Sequence, residues 1–112
     1  MQLYKQYLEE RDGASVIYYD WGFCVYAINA DVIYLSELYV IPEHRSSTKA
    51  YRLFKEVIAL GLQRNCTKIL GSYDKTTIGW KRSRDLMIRL KFNFFKKQNN
   101  LIYMIRSLHG FR

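Results

Sequence analysis

The sequence predicts one mixed α/β domain over residues 1–112, a mostly antiparallel sheet interrupted by helices and containing one parallel pair. Three observations carry this. Runs of alternating and β-branched apolar residues occupy the first third of the chain. The apolar period then changes from two to about 3.6 at Ala50. A further apolar run follows that helix at once, and a strand, helix, strand series implies parallel pairing of its two strands. With 49 % hydrophobic residues, six glycines and one proline, the composition is that of a folded chain with a single core.

Each element has its own signal. Residues 2–11 suit a short helix with Leu3, Tyr7 and Leu8 on one side, ended by Asp12-Gly13. Strands are expected at Ser15–Tyr19, Phe23–Asn29 and Val32–Ile41, joined by the turn-compatible "DWG" and "NAD" into an antiparallel meander. Ala50, Leu53, Phe54, Val57, Ile58 and Leu62 then mark a helix with one buried side. Asn65 is placed to end it, because asparagine tolerates the left-handed conformation at a helix C-terminus. "KILGSY" (Lys68–Tyr73) is the fourth strand. A second helix, from about Thr77 or Gly79 to Lys91, carries Trp80, Leu86, Met87 and Leu90. Strands at Phe94–Lys97 and Leu101–Leu108 close the fold.

Several function classes fall away. No segment approaches the roughly 18 apolar residues of a membrane span, and the charged N-terminus lacks the apolar stretch of a signal peptide, so a cytoplasmic protein is expected. Cys24 and Cys66 have no CxxC spacing and form no ligand set with His44 and His109; buried reduced thiols are the expectation, with no metal. Charge is lopsided. Residues 1–74 hold eight Lys/Arg against nine Asp/Glu, and residues 75–112 hold ten against one, Asp85. A basic C-terminal third attracts an anionic partner, an acidic protein or a nucleic acid, or serves as a solvated basic surface.

The junction "PEHRSSTKAYRLF" (Pro42–Phe54) runs from a strand straight into a helix. Such a loop presents unpaired backbone N–H groups at the positive end of the helix dipole, the elementary phosphate site, with Arg45 and Lys49 beside it. The longer segment "LYVIPEHRSSTKAYRLF" resembles the central motif of the GNAT superfamily of acyl-CoA-dependent N-acyltransferases, in Leu38, Val40, Pro42, Arg45, Ala50 and Leu53. Downstream, "SRDLMIRLKFNF" is similar to the family's fourth-helix segment, with Asn93-Phe94 in place of its Gly-Phe pair. The resemblance covers about residues 15–108.

It implies a GNAT-like sheet with helices on both faces and a short N-terminal part. Acetyl-CoA would be the cosubstrate, with its pyrophosphate wrapped by Arg45, Ser46, Ser47, Thr48, Lys49 and Ala50. Its pantetheine arm would meet backbone groups of Leu38, Tyr39 and Val40, and Ser83 on the second helix would add a contact. Thr48 departs from the pattern by replacing a glycine, and its β-branch restricts backbone approach to phosphate. The family's frequent tyrosine acid would fall at Arg89, which cannot serve. Tyr73 is the substitute proton donor in this reading. Glu37, a carboxylate in an apolar strand and assigned there to the same side as Leu35 and Tyr39, has two readings: general base for the acceptor amine, or a strand-end carboxylate paired with an arginine.

Two functions follow from the resemblance. One is an acetyl-CoA-dependent N-acetyltransferase acting on a primary amine of an unidentified acceptor, retaining Glu37, Pro42, Arg45 and Ala50. The other is a catalytically inactive GNAT-fold protein acting as a binding or structural component; the small size and the lost glycines give it the look of a phage-encoded member.

Overall fold

The computed structural model describes residues 13–45 and 48–110, with Leu3 and Gln6. The helix expected over residues 2–11, those two residues apart, lies outside the described residues, as do Ser46 and Ser47. The described elements are β1 (Ser15–Tyr19), β2 (Gly22–Asn29), β3 (Val32–Val40), a 3-10 turn (Pro42–His44), α1 (Lys49–Gln63), β4 (Lys68–Asp74), α2 (Trp80–Arg89), β5 (Asn93–Gln98) and β6 (Leu101–Ser107). They form a six-stranded sheet in the order β1-β2-β3-β4-β6-β5. β3 and β4 are parallel and the other neighbours antiparallel, as the meander and the crossover helix require.

The crossover is pinned at both ends. Asn65 takes φ +61° and stops α1, while the Cys66 N–H returns to the Gly61 carbonyl at 2.8 Å. Thr67 then donates twice to Asp31, from its N–H to the backbone carbonyl at 2.7 Å and from its hydroxyl to the carboxylate. Those bonds set the register in which Val32 meets Lys68. Helix α1 buries Leu53, Phe54, Val57 and Ile58 as its periodicity predicts, but Leu62 is 42 % exposed. Gly61 closes that side instead. A Cβ on it would stand 2.9 Å from Ile33 Cγ2 and 3.0 Å from Leu108 Cδ1, so the helix comes closer to the sheet than any larger residue allows.

Residues of α1, α2 and one face of the sheet share one buried cluster, in which Phe54 and Phe92 meet edge to face at 5.9 Å. Helix α2 ends on Lys91, at φ +70°, and the Arg106 guanidinium donates to the Leu90 carbonyl at 2.6 Å, placing a cation at the negative end of the helix. Cys24 and Cys66 are buried and unbridged. Burial pushes the Cys24 thiol up to about 12.

One irregularity shapes the sheet. β2 and β3 pair as Val25 with Glu37 and Tyr26 with Leu35, which leaves Ser36 as an extra residue on β3. Its hydroxyl donates to the Val25 carbonyl at 3.2 Å. Because opposed residues share a face and neighbours alternate, Leu35 lies on the buried helix side while Glu37 lies on the opposite face with Val25, Phe23 and Tyr39. Strict alternation placed Glu37 and Leu35 together; the bulge separates them.

Gly22 marks the other close approach. A Cβ there would sit 2.4 Å from the Tyr39 carbonyl oxygen, a backbone atom that cannot swing aside. Gly22→Ala should therefore destabilise by about 2 kcal/mol or more and lower the melting temperature by about 8 °C or more. A calorimetric scan checks this, and a melting point within about 2 °C of wild type contradicts the close packing.

Candidate functional site

β3 and β4 run side by side only from Val32 and Lys68 to Leu35 and Gly71. Past that point β3 continues to Val40 and β4 to Asp74 without pairing to each other. The bulge at Ser36 lies where the pairing ends, since it bends the strand that carries it. The strands splay, and between them opens a cleft of about 1080 Å³. Its walls include Leu35 to Val40 from β3, Gly71 to Asp74 from β4, Ala50 and Phe54 from α1, and Ser83, Leu86 and Met87 from α2.

Of the residues expected to act, the structure brings Glu37, Leu38, Tyr39, Val40, Arg45, Ala50, Tyr73 and Ser83 into this one cleft. Thr48 stands at the N-cap of α1 and makes no side-chain capping bond, and no acidic residue occupies the helix's first turn. The helix therefore keeps N–H donors and a positive dipole end at the cleft wall formed by Ala50. Lys49 lies apart from the cleft, its ammonium 4.8 Å over the Trp21 ring. Arg45 folds back: its Nε donates to the Val40 carbonyl at 2.8 Å and its guanidinium covers the Tyr39 ring at 5.4 Å. One of the backbone acceptors of β3 is thus already occupied by the arginine beside it.

Trp80, expected only as an apolar residue of the second helix, lines the cleft as well. Trp80 stacks on Tyr73 at 5.7 Å and 10°, and Lys75, Lys81 and Arg84 stand within 5.9, 5.7 and 5.1 Å of its ring. Arg82 lines the cleft beside it. Helix α2 begins on Gly79 at φ +86°, again without a side-chain cap, so a second helix N-terminus edges the same opening. The cations here converge because the loop turns back on itself, a geometry that the spacing of basic residues does not disclose. The residue at the place of a tyrosine acid also changes. Lys91 is the left-handed residue and Phe92 the buried aromatic, whereas Phe94 is 63 % exposed, so the Gly-Phe position falls at Lys91-Phe92 and not at Asn93-Phe94. Four residues before Lys91 is Met87, buried, with its sulfur against Gly71. Arg89 is exposed and away from the cleft lining.

Asp74, at the end of β4, supplies a second lining carboxylate besides Glu37. The Thr76 hydroxyl and N–H donate to its Oδ1 at 2.6 and 2.8 Å and hold it below the usual carboxylate range. The bonded form is the ionised one. Its contribution to the turn is present above the unfolded value and lost as pH falls through the lower folded value.

No family model and no curated protein sequence matches the chain. Solved structures do. A protein of Klebsiella pneumoniae assigned as an acyl-CoA N-acyltransferase is 15 % identical, with a TM-score of 0.69 over 78 % of this chain and 63 % of that one. The PaiA N-acetyltransferase of Thermoplasma acidophilum, solved in complex with coenzyme A, is 13 % identical, with a TM-score of 0.76 over 95 % of this chain and 69 % of that one. The ribosomal-protein-S18-alanine N-acetyltransferase of Escherichia coli is 12 % identical, at 0.70 over 93 % and 76 %. The chain has the GNAT fold, and it spans less than two thirds of the first of these neighbours.

Thr76→Ala removes the hydroxyl donor to Asp74 and should raise the carboxyl's titration midpoint toward the usual carboxylate range, the residue 76 N–H still donating. NMR titration of the Asp74 side chain reads this directly; an unmoved midpoint would mean that the hydroxyl bond does not hold the carboxylate.

Proposed function

We propose that the chain transfers an acyl group from acetyl-CoA to a primary amine, with the β3/β4 cleft as the active site. The observation that carries this reading is the splay itself: two parallel strands that part at a bulge, opening a cleft whose mouth is edged by two uncapped helix N-termini. The residues fit such a cosubstrate in kind. Phosphates suit the N-terminus of α1, with Arg45, Ser46, Ser47, Thr48 and Ala50, and they suit Arg82 and Ser83 at α2. The unpaired edge of β3 over Leu38, Tyr39 and Val40 suits the amides of an extended arm.

Acetyl-CoA, when bound, supplies an activated acyl thioester. The chain's residues have three tasks. Backbone N–H groups of the free β3 edge polarise a carbonyl brought into the splay, at no cost in reorganisation because the strand already holds them. Glu37 accepts the proton of the incoming ammonium, directly or through one water, and Asp74 gives that cation a second carboxylate to approach. Tyr73 is the hydroxyl available as proton donor; its ring is fixed by stacking on Trp80.

A second reading, a GNAT-fold protein that binds without turnover, is favoured by one observation. Met87 occupies the place of the tyrosine acid, and a thioether has no proton to give.

Two experiments separate them. Millimolar acetyl-CoA should raise the melting temperature of ligand-free protein, since a ligand selective for the native state adds stability as its concentration exceeds its Kd. Arg45→Glu should abolish the shift, and no shift in the wild type removes the cosubstrate from the proposal. Across an amine panel, Glu37→Gln should lower kcat at neutral pH by about 10²-fold or more with acetyl-CoA affinity retained. Acetyl-CoA binding without acyl transfer to any amine selects the non-catalytic reading.

A further inference from the structure

The sheet face turned away from the buried cluster carries aromatic side chains for which acyl transfer has no use. Ile33 and Ile102 point into the core with the helices, so alternation places Tyr34 and Tyr103 on the opposite face. Their ring centroids stand 6.3 Å apart at 36°. The Tyr34 hydroxyl shares a 3.0 Å hydrogen bond with Ser72, the β4 residue directly opposite Tyr103. Lys96 is the β5 partner of Tyr103; its ammonium lies 5.2 Å from that ring and 5.9 Å from the ring of Phe95. Phe95 is the unpaired residue of a bulge in β5 and is 50 % exposed. Across β3, β4, β6 and β5 the sequence of side chains is therefore Tyr34, Ser72, Tyr103, Lys96 and Phe95.

This row differs from an ordinary packed sheet face in two respects. Its outer ring is open to solvent and a cation is held between two rings, although an edge strand with exposed aromatics is a liability that lysine alone would relieve. The exposed edge strand β5 also carries charge of one sign: all six of its residues are exposed, and its charged groups are Lys96 and Lys97, while Asp74 and Glu37 lie on the inner strands of the same face. On α2, by contrast, the bases are dispersed, with Lys81 and Arg84 drawn to the Trp80 ring and Arg84 bonded to Asp85 at 3.0 Å.

We propose that this face binds single-stranded nucleic acid, with bases stacking on Phe95, Tyr103 and Tyr34 and the phosphodiester backbone drawn to Lys96 and the basic edge around it. The chemistry selects the partner. Every base offers a π-face to an aromatic ring and every nucleotide a negative charge, so alternating rings and cations satisfy both at once. An acidic peptide would meet the cations and leave the rings unused. The proposal does not require acyl transfer, and its test contains no acetyl-CoA.

The test is fluorescence anisotropy of the full chain with labelled oligo-dT and oligo-U of about 20 nucleotides. Binding is expected to weaken about tenfold or more between about 50 and 200 mM salt. Phe95→Ala should weaken it about fivefold or more, with Phe95→Tyr restoring it, and Lys96→Glu should weaken it as well. The double change Lys81→Glu with Arg84→Glu should alter it by less than about twofold. Melting curves of the Phe95 and Lys96 variants establish that they are folded. The proposal is overturned by affinity no tighter than about 10⁻⁴ M at physiological salt, by wild-type binding in folded Phe95→Ala, by loss confined to the α2 variant, or by polyglutamate competing as well as the oligonucleotide.

Discussion

A single extra residue in β3 governs the architecture. Ser36 has no partner on β2, and its hydroxyl bond to the Val25 carbonyl holds the bulge in place. Two consequences follow from the added bend. β3 leaves β4 after Leu35, which opens the cleft, and the faces of the strand exchange, which turns Glu37 away from the helices while Val40 returns to the core. The core tolerates this because Leu35 and Val40, on either side of the bulge, are both buried in the same cluster. A regular strand would keep its pairing with β4 and leave no room between them.

The cleft's electrostatics come mainly from backbone and loop geometry. Two helices start at its rim without side-chain caps, one after a β-branched threonine and one after a left-handed glycine. Their free N–H groups point the same way as the helix dipoles, and the described first turns contain no acidic residue to neutralise them. Arg45 keeps its positive charge beside the start of α1, because the Val40 carbonyl and the Tyr39 ring that hold it are both neutral. The cations around Trp80 sit on the other side of the opening. Glu37 and Asp74 lie along the splayed strands, Arg45 and Arg82 stand near the helix starts, and Lys75 follows Asp74 at the end of β4.

The sequence alone determined the order of the described elements, the meander, the parallel crossover, much of the buried side of α1 and the left-handed stop at Asn65, because each rests on a local period or a single residue's conformational preference. It also located the strand-to-helix junction and eight of the residues that line the cleft, among them Glu37, Arg45 and Tyr73. Tertiary structure decided what no local period contains. A bulge is invisible to alternation until the partner strand is known, so the face of Glu37 was legible only in the β2–β3 register. The end of α2 depended on which residue could turn left-handed while Phe92 reached the core. That packing choice puts the left-handed stop at Lys91 and the buried aromatic at Phe92, two positions before Asn93-Phe94. The approach of Tyr34 to Tyr103 joins residues tens of positions apart. Their proximity is fixed by sheet order, a property of the whole chain that local sequence does not encode.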